Sequence, residues 1–358
     1  VKRQRDPLAG RIPVTLVTGF LGSGKTTLVS KLVRHPSMNR VAVVINEVGE
    51  IGIDHDLVTM SSENITLLAN GCICCSVRTD LQETLRDLFA LRRSGQMPEF
   101  DRVVVETTGL ADPAPVVQTL ASDTLLAAHY RLDGVVTLVD AYNGQAQLEH
   151  QAEAAKQIAL ADRVLITKAD LATPAAIEAL QGAIAAMNAS ARIALLSHGE
   201  IDPAELTGLG LASARAGAAT LSFLGESLQG PASAAGSGVT PGRYLGQRPA
   251  LHDPAIKTLS LRLDRSFSWP VLSAALELLI NLRGADLLRV KGIVNVEGEP
   301  VVVQGVQHIF HPPVVLDRWP SDDRQTRLVF ITRNIEIAAI RALLDAVVDI
   351  AAPPAATS

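Results

Sequence analysis

All three cysteines of the 358-residue chain fall within four positions, Cys72, Cys74 and Cys75 of GCICC (71–75). Thiols so spaced can hold a metal as thiolates, form a redox pair, or pack as small apolar groups. Cys72 and Cys74 stand two apart, so on an extended segment they share a face. Cys75 joins them where the chain bends, and Gly71 gives it latitude to do so. Three converging thiolates would leave one coordination position open, which suits a metal that must leave; a closed structural zinc site has four protein ligands. Thiolate donors favour zinc or Cu(I), and zinc ranks above cobalt among the divalent ions, so Zn2+ is the first expectation and Co2+ the second. Against a redox switch, a Cys74–Cys75 disulfide would be strained. Against packing alone, no cysteine is scattered elsewhere.

A second constellation handles phosphate. GFLGSGKT, Gly19 to Thr26, satisfies G-x-x-x-x-G-K-[ST] between an apolar strand and a helix. Gly19, Gly22, Ser23 and Gly24 let backbone N–H groups turn inward around phosphate oxygens, and the helix N-terminus through Thr27 adds its partial positive charge. Lys25 is expected on the β- and γ-phosphates and Thr26 on Mg2+. TKAD (167–170) ends a later strand: the Asp170 carboxylate can accept two hydrogen bonds from guanine N1 and N2, and Lys168 can lie along the base plane. The usual motif begins with Asn, where this chain has Thr167. VVVETTG (103–109) ends another strand in a carboxylate, with Glu106 expected to serve the Mg2+ shell or the attacking water and the Gly109 N–H to meet the γ-phosphate. The reaction class is GTP hydrolysis; a small-molecule kinase on the same loop is disfavoured by TKAD.

These groups need a scaffold that delivers them to one edge. Six short apolar runs recur, at 12–19, 41–46, 102–107, 133–140, 162–168 and 192–197. Apolar on both faces and separated by helical stretches such as TDLQETLRDLFALRR, they read as buried parallel strands of a doubly wound α/β sheet, a P-loop NTPase fold. The domain is expected over 1–202. An Ala/Gly/Ser-rich linker follows at 203–254, then a smaller α+β domain at 255–351 built of alternating strands with two helices, and a tail at 352–358.

Composition closes off other classes. A formal charge of −5 and 3% aromatic residues argue against nucleic acid as a partner. No apolar run is long enough to cross a bilayer, and the basic start VKRQRDPLAG is followed by no apolar core of a signal peptide. Three clustered cysteines form no disulfide framework, which fits a reducing cytoplasm.

GFLGSGKTT, INEVGEIGIDHDLV, NGCICCSVRTDL, ETTGLADPAPVVQTL and DGVVTLVDA, in this order, resemble the CobW family of P-loop GTPases, closely over 12–200 and onward into the C-terminal domain. The resemblance implies a GTP-dependent metallochaperone that carries metal on its C-x-C-C motif and hands it to a client metalloprotein; the alternatives are a cobalt chaperone for cobalamin synthesis and a regulatory GTPase whose thiols are redox-active. Client recognition is expected on the C-terminal domain, and the oligomeric state is expected to be a monomer or a nucleotide-dependent dimer. Members often carry a histidine-rich linker; here no histidine lies between His198 and His252. GCICC falls between NEVGEIGID (46–54) and the ETTG strand, the segments expected to sense the γ-phosphate. GTP that draws them together would tighten the thiolate site, and metal would tighten GTP by the same factor. Glu47, Glu50 and Asp54 lie in that segment, with Glu47 a candidate for Mg2+ or the carried metal and a solvated loop charge the equal alternative. His308 and His311, and Asp123 with His129, are weaker candidate metal ligands.

Overall fold

The computed structural model describes residues 10–38, 40–46, 58–61, 65–68, 73–76, 81–196, 202–209 and 256–351. Its first part runs β1 (Ile12–Gly19), α1 (Lys25–Leu32), β2 (Val41–Asn46), β3 (Val58–Ser61), β4 (Ile65–Leu68), β5 (Ile73–Ser76), α2 (Leu81–Arg93) and β6 (Arg102–Thr107). It continues with α3 (Ala114–Ser122), α4 (Thr124–His129), β7 (Tyr130–Asp140), α5 (Gly144–His150), α6 (Ala152–Leu160), β8 (Arg163–Thr167), α7 (Pro174–Met187) and β9 (Arg192–Leu195).

These strands form one sheet in the order β3-β4-β5-β2-β6-β1-β7-β8-β9. From β5 onward in that order every pairing is parallel, whereas β3 and β4 pair antiparallel. The six apolar runs are all strands, and the doubly wound α/β reading holds. The additional strands β3, β4 and β5 are four residues each, too short for their periodicity to be read against the loops around them. Helices cover both faces, so consecutive strand residues enter different cores. Val103 and Val105 of β6 pack with Leu16, Leu85 and Val117, while Val104 packs with Val17, Leu28 and Leu165. Such double burial is why these strands are continuously apolar.

The second unit comprises β10 (Ile256–Leu263), α8 (Trp269–Arg283), β11 (Leu287–Val296), β12 (Glu299–Val306), β13 (Ile309–Phe310), β14 (Val314–Val315), β15 (Thr326–Arg333) and α9 (Ile337–Ala351). Its antiparallel sheet has the order β10-β15-β11-β12-β13, with β14 on β12. Leu272, Leu276 and Leu279 of α8 and Ile340 and Leu344 of α9 bury against Leu261, Val290, Val294 and Phe330 of that sheet. Among the described residues no helix is long and apolar enough to cross a membrane.

The two units meet along α6, α7, β10 and β11. Thr258 donates to the Met187 carbonyl at 2.9 Å. Deeper in, the carboxylate of Asp162 takes Arg289 Nη2 at 2.6 Å and Lys291 Nζ at 2.5 Å on Oδ1, and the Val135 N–H at 2.8 Å on Oδ2. All three ionic side chains are buried. Burial alone would raise the Asp162 carboxyl; the charges of Arg289 and Lys291 outweigh it and hold the group below the ordinary carboxylate range.

A depressed folded pKa places that stabilisation above the ordinary carboxylate value of about 4 and removes it as the pH falls through the folded value. Asp162→Asn should therefore lower unfolding free energy at pH 7 by about 3–5 kcal/mol, because two buried cations lose their counter-charge. The same variant should show a shallower acid limb than the parent in urea titrations run from pH 7 to pH 3.

Candidate nucleotide and metal site

The phosphate loop leaves β1 under tight constraint. At Gly19 a Cβ would lie 2.4 Å from the Leu138 carbonyl oxygen, so only glycine lets β1 end this close to β7. Gly22 and Gly24 sit at φ of 74° and 93°, left-handed values at which a side chain is strained, and Gly24 caps α1. Lys25 is buried and its Nζ donates to the Gly19 and Phe20 carbonyls at 3.0 and 3.3 Å. Ser23 is buried too, and its Oγ has no hydrogen-bond partner among the described residues. Glycine-turned backbone, an unsatisfied hydroxyl, a lysine folded over the loop and a helix N-terminus with no acidic residue in its first turn are the donors a polyphosphate requires. Thr27 is exposed beside Thr26 on the first turn of α1.

Glu106, fully buried near the end of β6, accepts from Thr26 Oγ1 at 2.9 Å. The two residues expected around Mg2+ are thus in contact, and a hydroxyl beside a carboxylate is a donor set that suits that ion. Next along the strand, Thr107 Oγ1 donates to Thr18 Oγ1 at 2.9 Å, tying β6 to β1. Gly109 comes so close to the phosphate loop that a Cβ there would lie 2.6 Å from Leu21 Cδ2 and 2.8 Å from Leu21 N.

The TKAD segment reaches the same loop. Thr167 Oγ1 donates to the Ser23 carbonyl at 2.8 Å, so the residue that departs from the usual Asn still ties this strand end to the phosphate loop. Lys168 adopts a left-handed backbone (φ 55°) and its Nζ meets Asp140 Oδ2 at 2.7 Å. Asp140, buried at the end of β7, also accepts from the Tyr142 and Asn143 N–H groups and from Asn143 Nδ2. Burial opposes the charge of Asp140, but Lys168 and Asn143 prevail and keep its carboxyl below the ordinary range. Asp170 is exposed in the short 3-10 turn Ala169–Leu171. Sequence reasoning passed over Asp140, although its signal was the one used for Glu106: DGVVTLVD, like VVVET, is an apolar strand that ends in a carboxylate.

Cys74 and Cys75 occupy successive positions on β5, paired with Val43 and Val44 of β2 on one side and with Thr66 and Ile65 of β4 on the other. Cys72, Glu47, Glu50 and Asp54 lie outside the described residues. Among the described residues no group of three or more His, Cys, Asp or Glu side chains is gathered as a metal site. Asp123 instead caps α4: it accepts from the Leu125 and Leu126 N–H groups and from Gln82, and pairs with Arg86. His129 stacks on Phe89 with ring centroids 3.8 Å apart. His308 is exposed, whereas burial first and the Arg289 charge second push the His311 imidazole down to about 4.

Phosphate loop, strand-end carboxylates and sheet order together define a P-loop nucleotide-binding protein. The sequence matches the CobW/HypB/UreG nucleotide-binding domain over residues 13–194 and the cobW C-terminal domain over residues 256–348. The chain belongs to the CobW family of P-loop GTPases. It is 36% identical over 340 residues to the zinc chaperone YjiA of Escherichia coli (strain K12), a match covering 92% of this chain and 97% of that one. With the zinc chaperone CobW of Pseudomonas aeruginosa it shares 31% identity over an alignment of 375 positions, which covers 92% of this chain and 90% of that protein. The crystal structure of Zn(II)-bound YjiA GTPase superposes with a TM-score of 0.70 at 32% identity, covering 94% of this chain and 99% of that one. A YjiA variant with one glutamate and two cysteines changed to alanine has also been crystallised Zn(II)-bound.

Thr167→Val keeps the shape of the side chain but removes the bond to the Ser23 carbonyl. A net loss of about 1 kcal/mol for such a bond corresponds to roughly fivefold weaker nucleotide binding, to be read by calorimetry with GDP.

Proposed function

We propose that this chain is a GTP-driven zinc chaperone. It hydrolyses GTP to GDP and phosphate at the phosphate loop, carries Zn2+ on Cys72, Cys74 and Cys75, and hands the ion to a client metalloprotein when hydrolysis loosens the site. The names of its relatives support the zinc and GTP parts of this reading.

The observation that carries the coupling is a register. Strand β2 lies between β5 and β6, and Val44 pairs with Cys75 on one side and Val105 on the other. Neighbouring strands lie about 4.8 Å apart, so the cysteine strand and the strand ending in Glu106 are roughly 10 Å apart across a single intervening strand. A shift of the β6 end toward a γ-phosphate therefore acts on the immediate neighbour of the strand that carries the thiols.

In this reading Lys25 and the α1 N-terminus hold the β- and γ-phosphates, and Gly109 offers its N–H to the γ-phosphate. Thr26 and Glu106 would hold Mg2+, which when bound would offset the negative charge of the β- and γ-phosphates. Asp170 accepts from guanine N1–H and the N2 amino group, while Asp140 holds Lys168 along the base plane. Client recognition belongs to the C-terminal domain, which Asp162 joins to the nucleotide domain.

Replacing Cys72, Cys74 and Cys75 together by alanine should abolish the tight zinc ion bound in the presence of Mg2+ and a non-hydrolysable GTP analogue while leaving analogue affinity in the absence of zinc within about twofold. Affinity rather than total zinc is the readout, because the alanine variant of YjiA still held Zn(II) in its crystal. Full zinc affinity in the triple variant would sink the assignment. Separately, Asp170→Ala should erase the preference for GTP over ITP, which lacks the N2 amino group, leaving the two nucleotides within about twofold of one another.

A further inference from the structure

The segment after β6, which carries Gly109, is held from behind by two successive residues of α6. Gln157 is buried, and its Nε2 donates to the Gly109 carbonyl at 3.2 Å and to the Ala111 carbonyl at 3.0 Å. Its own backbone carbonyl accepts from Thr137 Oγ1 at 2.9 Å, which anchors the helix to β7 at that residue. Lys156 pairs with Asp112, whose Oδ1 accepts from the N–H of Ala114 at the start of α3. Within the segment, the Ala111 N–H closes a turn on the Thr108 carbonyl at 3.1 Å. The amide carries two N–H donors, so one side chain can reach both carbonyls.

The far end of the same helix is held by the other domain. Two residues beyond Leu160, Asp162 meets Arg289 and Lys291 of β11, and α6 packs against β11 directly. A helix of nine residues is about 13 Å long and rigid on that scale, so its two ends move together.

We propose that Gln157, assisted by Lys156, is a positioning residue for GTP hydrolysis: it sets Gly109 against the phosphate loop, and the C-terminal domain governs that setting through Asp162. The proposal rests on the reading of Gly109 as the γ-phosphate contact. GDP has no γ-phosphate, so a defect in this setting separates the two nucleotides, whereas general damage to the fold weakens both alike.

The test uses the full chain and measures affinity for GDP and for a non-hydrolysable GTP analogue, each with Mg2+, together with kcat and KM for GTP. Gln157→Met keeps the length of the side chain without its donors. It should bind GDP within about twofold of the parent, bind the analogue about tenfold more weakly, and lose kcat. Lys156→Gln, at a partly exposed position where folding is not at stake, should shift the same ratio in the same direction by a few-fold. Lys291→Met, which leaves Arg289 on Asp162, should do likewise if the C-terminal domain acts through α6. Equal weakening of both nucleotides, or an unchanged GTP-to-GDP ratio in folded Gln157→Met and Lys156→Gln, overturns the positioning role; an unchanged ratio in Lys291→Met alone overturns the inter-domain part. A parent protein that binds GDP but gains nothing from the γ-phosphate would instead remove the Gly109 reading and this proposal with it. Loss of zinc coupling with the ratio shift intact would count against the chaperone reading only.

Discussion

Two close backbone approaches set the geometry on which the nucleotide site depends. At Gly19 the end of β1 lies against Leu138 of β7, and at Gly109 the segment after β6 lies against Leu21 of the phosphate loop; a single Cβ at either place would sit within 2.6 Å of its neighbour. Atoms so placed have nowhere to go in an interior packed to crystal density. The consequence is that the ends of β6 and β8 converge on the loop that leaves β1. Glu106 meets Thr26, Thr167 meets the Ser23 carbonyl, and Thr107 meets Thr18, all within hydrogen-bond distance.

The same economy joins the domains. One carboxylate, Asp162, leaves α6, holds the backbone of β7 and receives two cations from the second sheet. Buried ion clusters of this kind are a costly way to gain stability, because desolvation offsets much of the attraction. The contact is directional: Asp162, two residues beyond the end of α6, meets both Arg289 and Lys291 of β11. The helix so aligned carries Lys156 and Gln157, which hold the segment that bears Gly109.

What the sequence disclosed follows from how local each feature is. The phosphate loop, VVVETTG and TKAD are short runs whose chemistry lies in adjacent residues, and the apolar strands that carry them are buried on both faces. GCICC was equally visible as a cluster, but its strand was not, because the four residues of ICCS match no periodicity and gain their partners from β2 and β4. Gln157 and the Asp162 cluster were out of reach for a different reason. Gln157 is one polar residue in an alanine-rich helix and gives no sign of the carbonyls it meets 46 and 48 residues earlier. Asp162 finds Arg289 at a separation of 127 residues, and no pattern in one sequence links them. Asp123 and His129, which the sequence left open as metal ligands, serve as a helix cap and a ring stack.

If the nucleotide state governs the metal, the link runs from the β6 end across β2 to the cysteines of β5. The most direct test is the zinc affinity of the unaltered protein by chelator competition, once with Mg2+ and a non-hydrolysable GTP analogue and once with Mg2+ and GDP. The account predicts zinc bound at least about tenfold more tightly in the GTP-like state, a coupling of the size that links two sites in one protein. Equal zinc affinity in the two states would contradict it and leave GCICC as a cysteine cluster that GTP does not control.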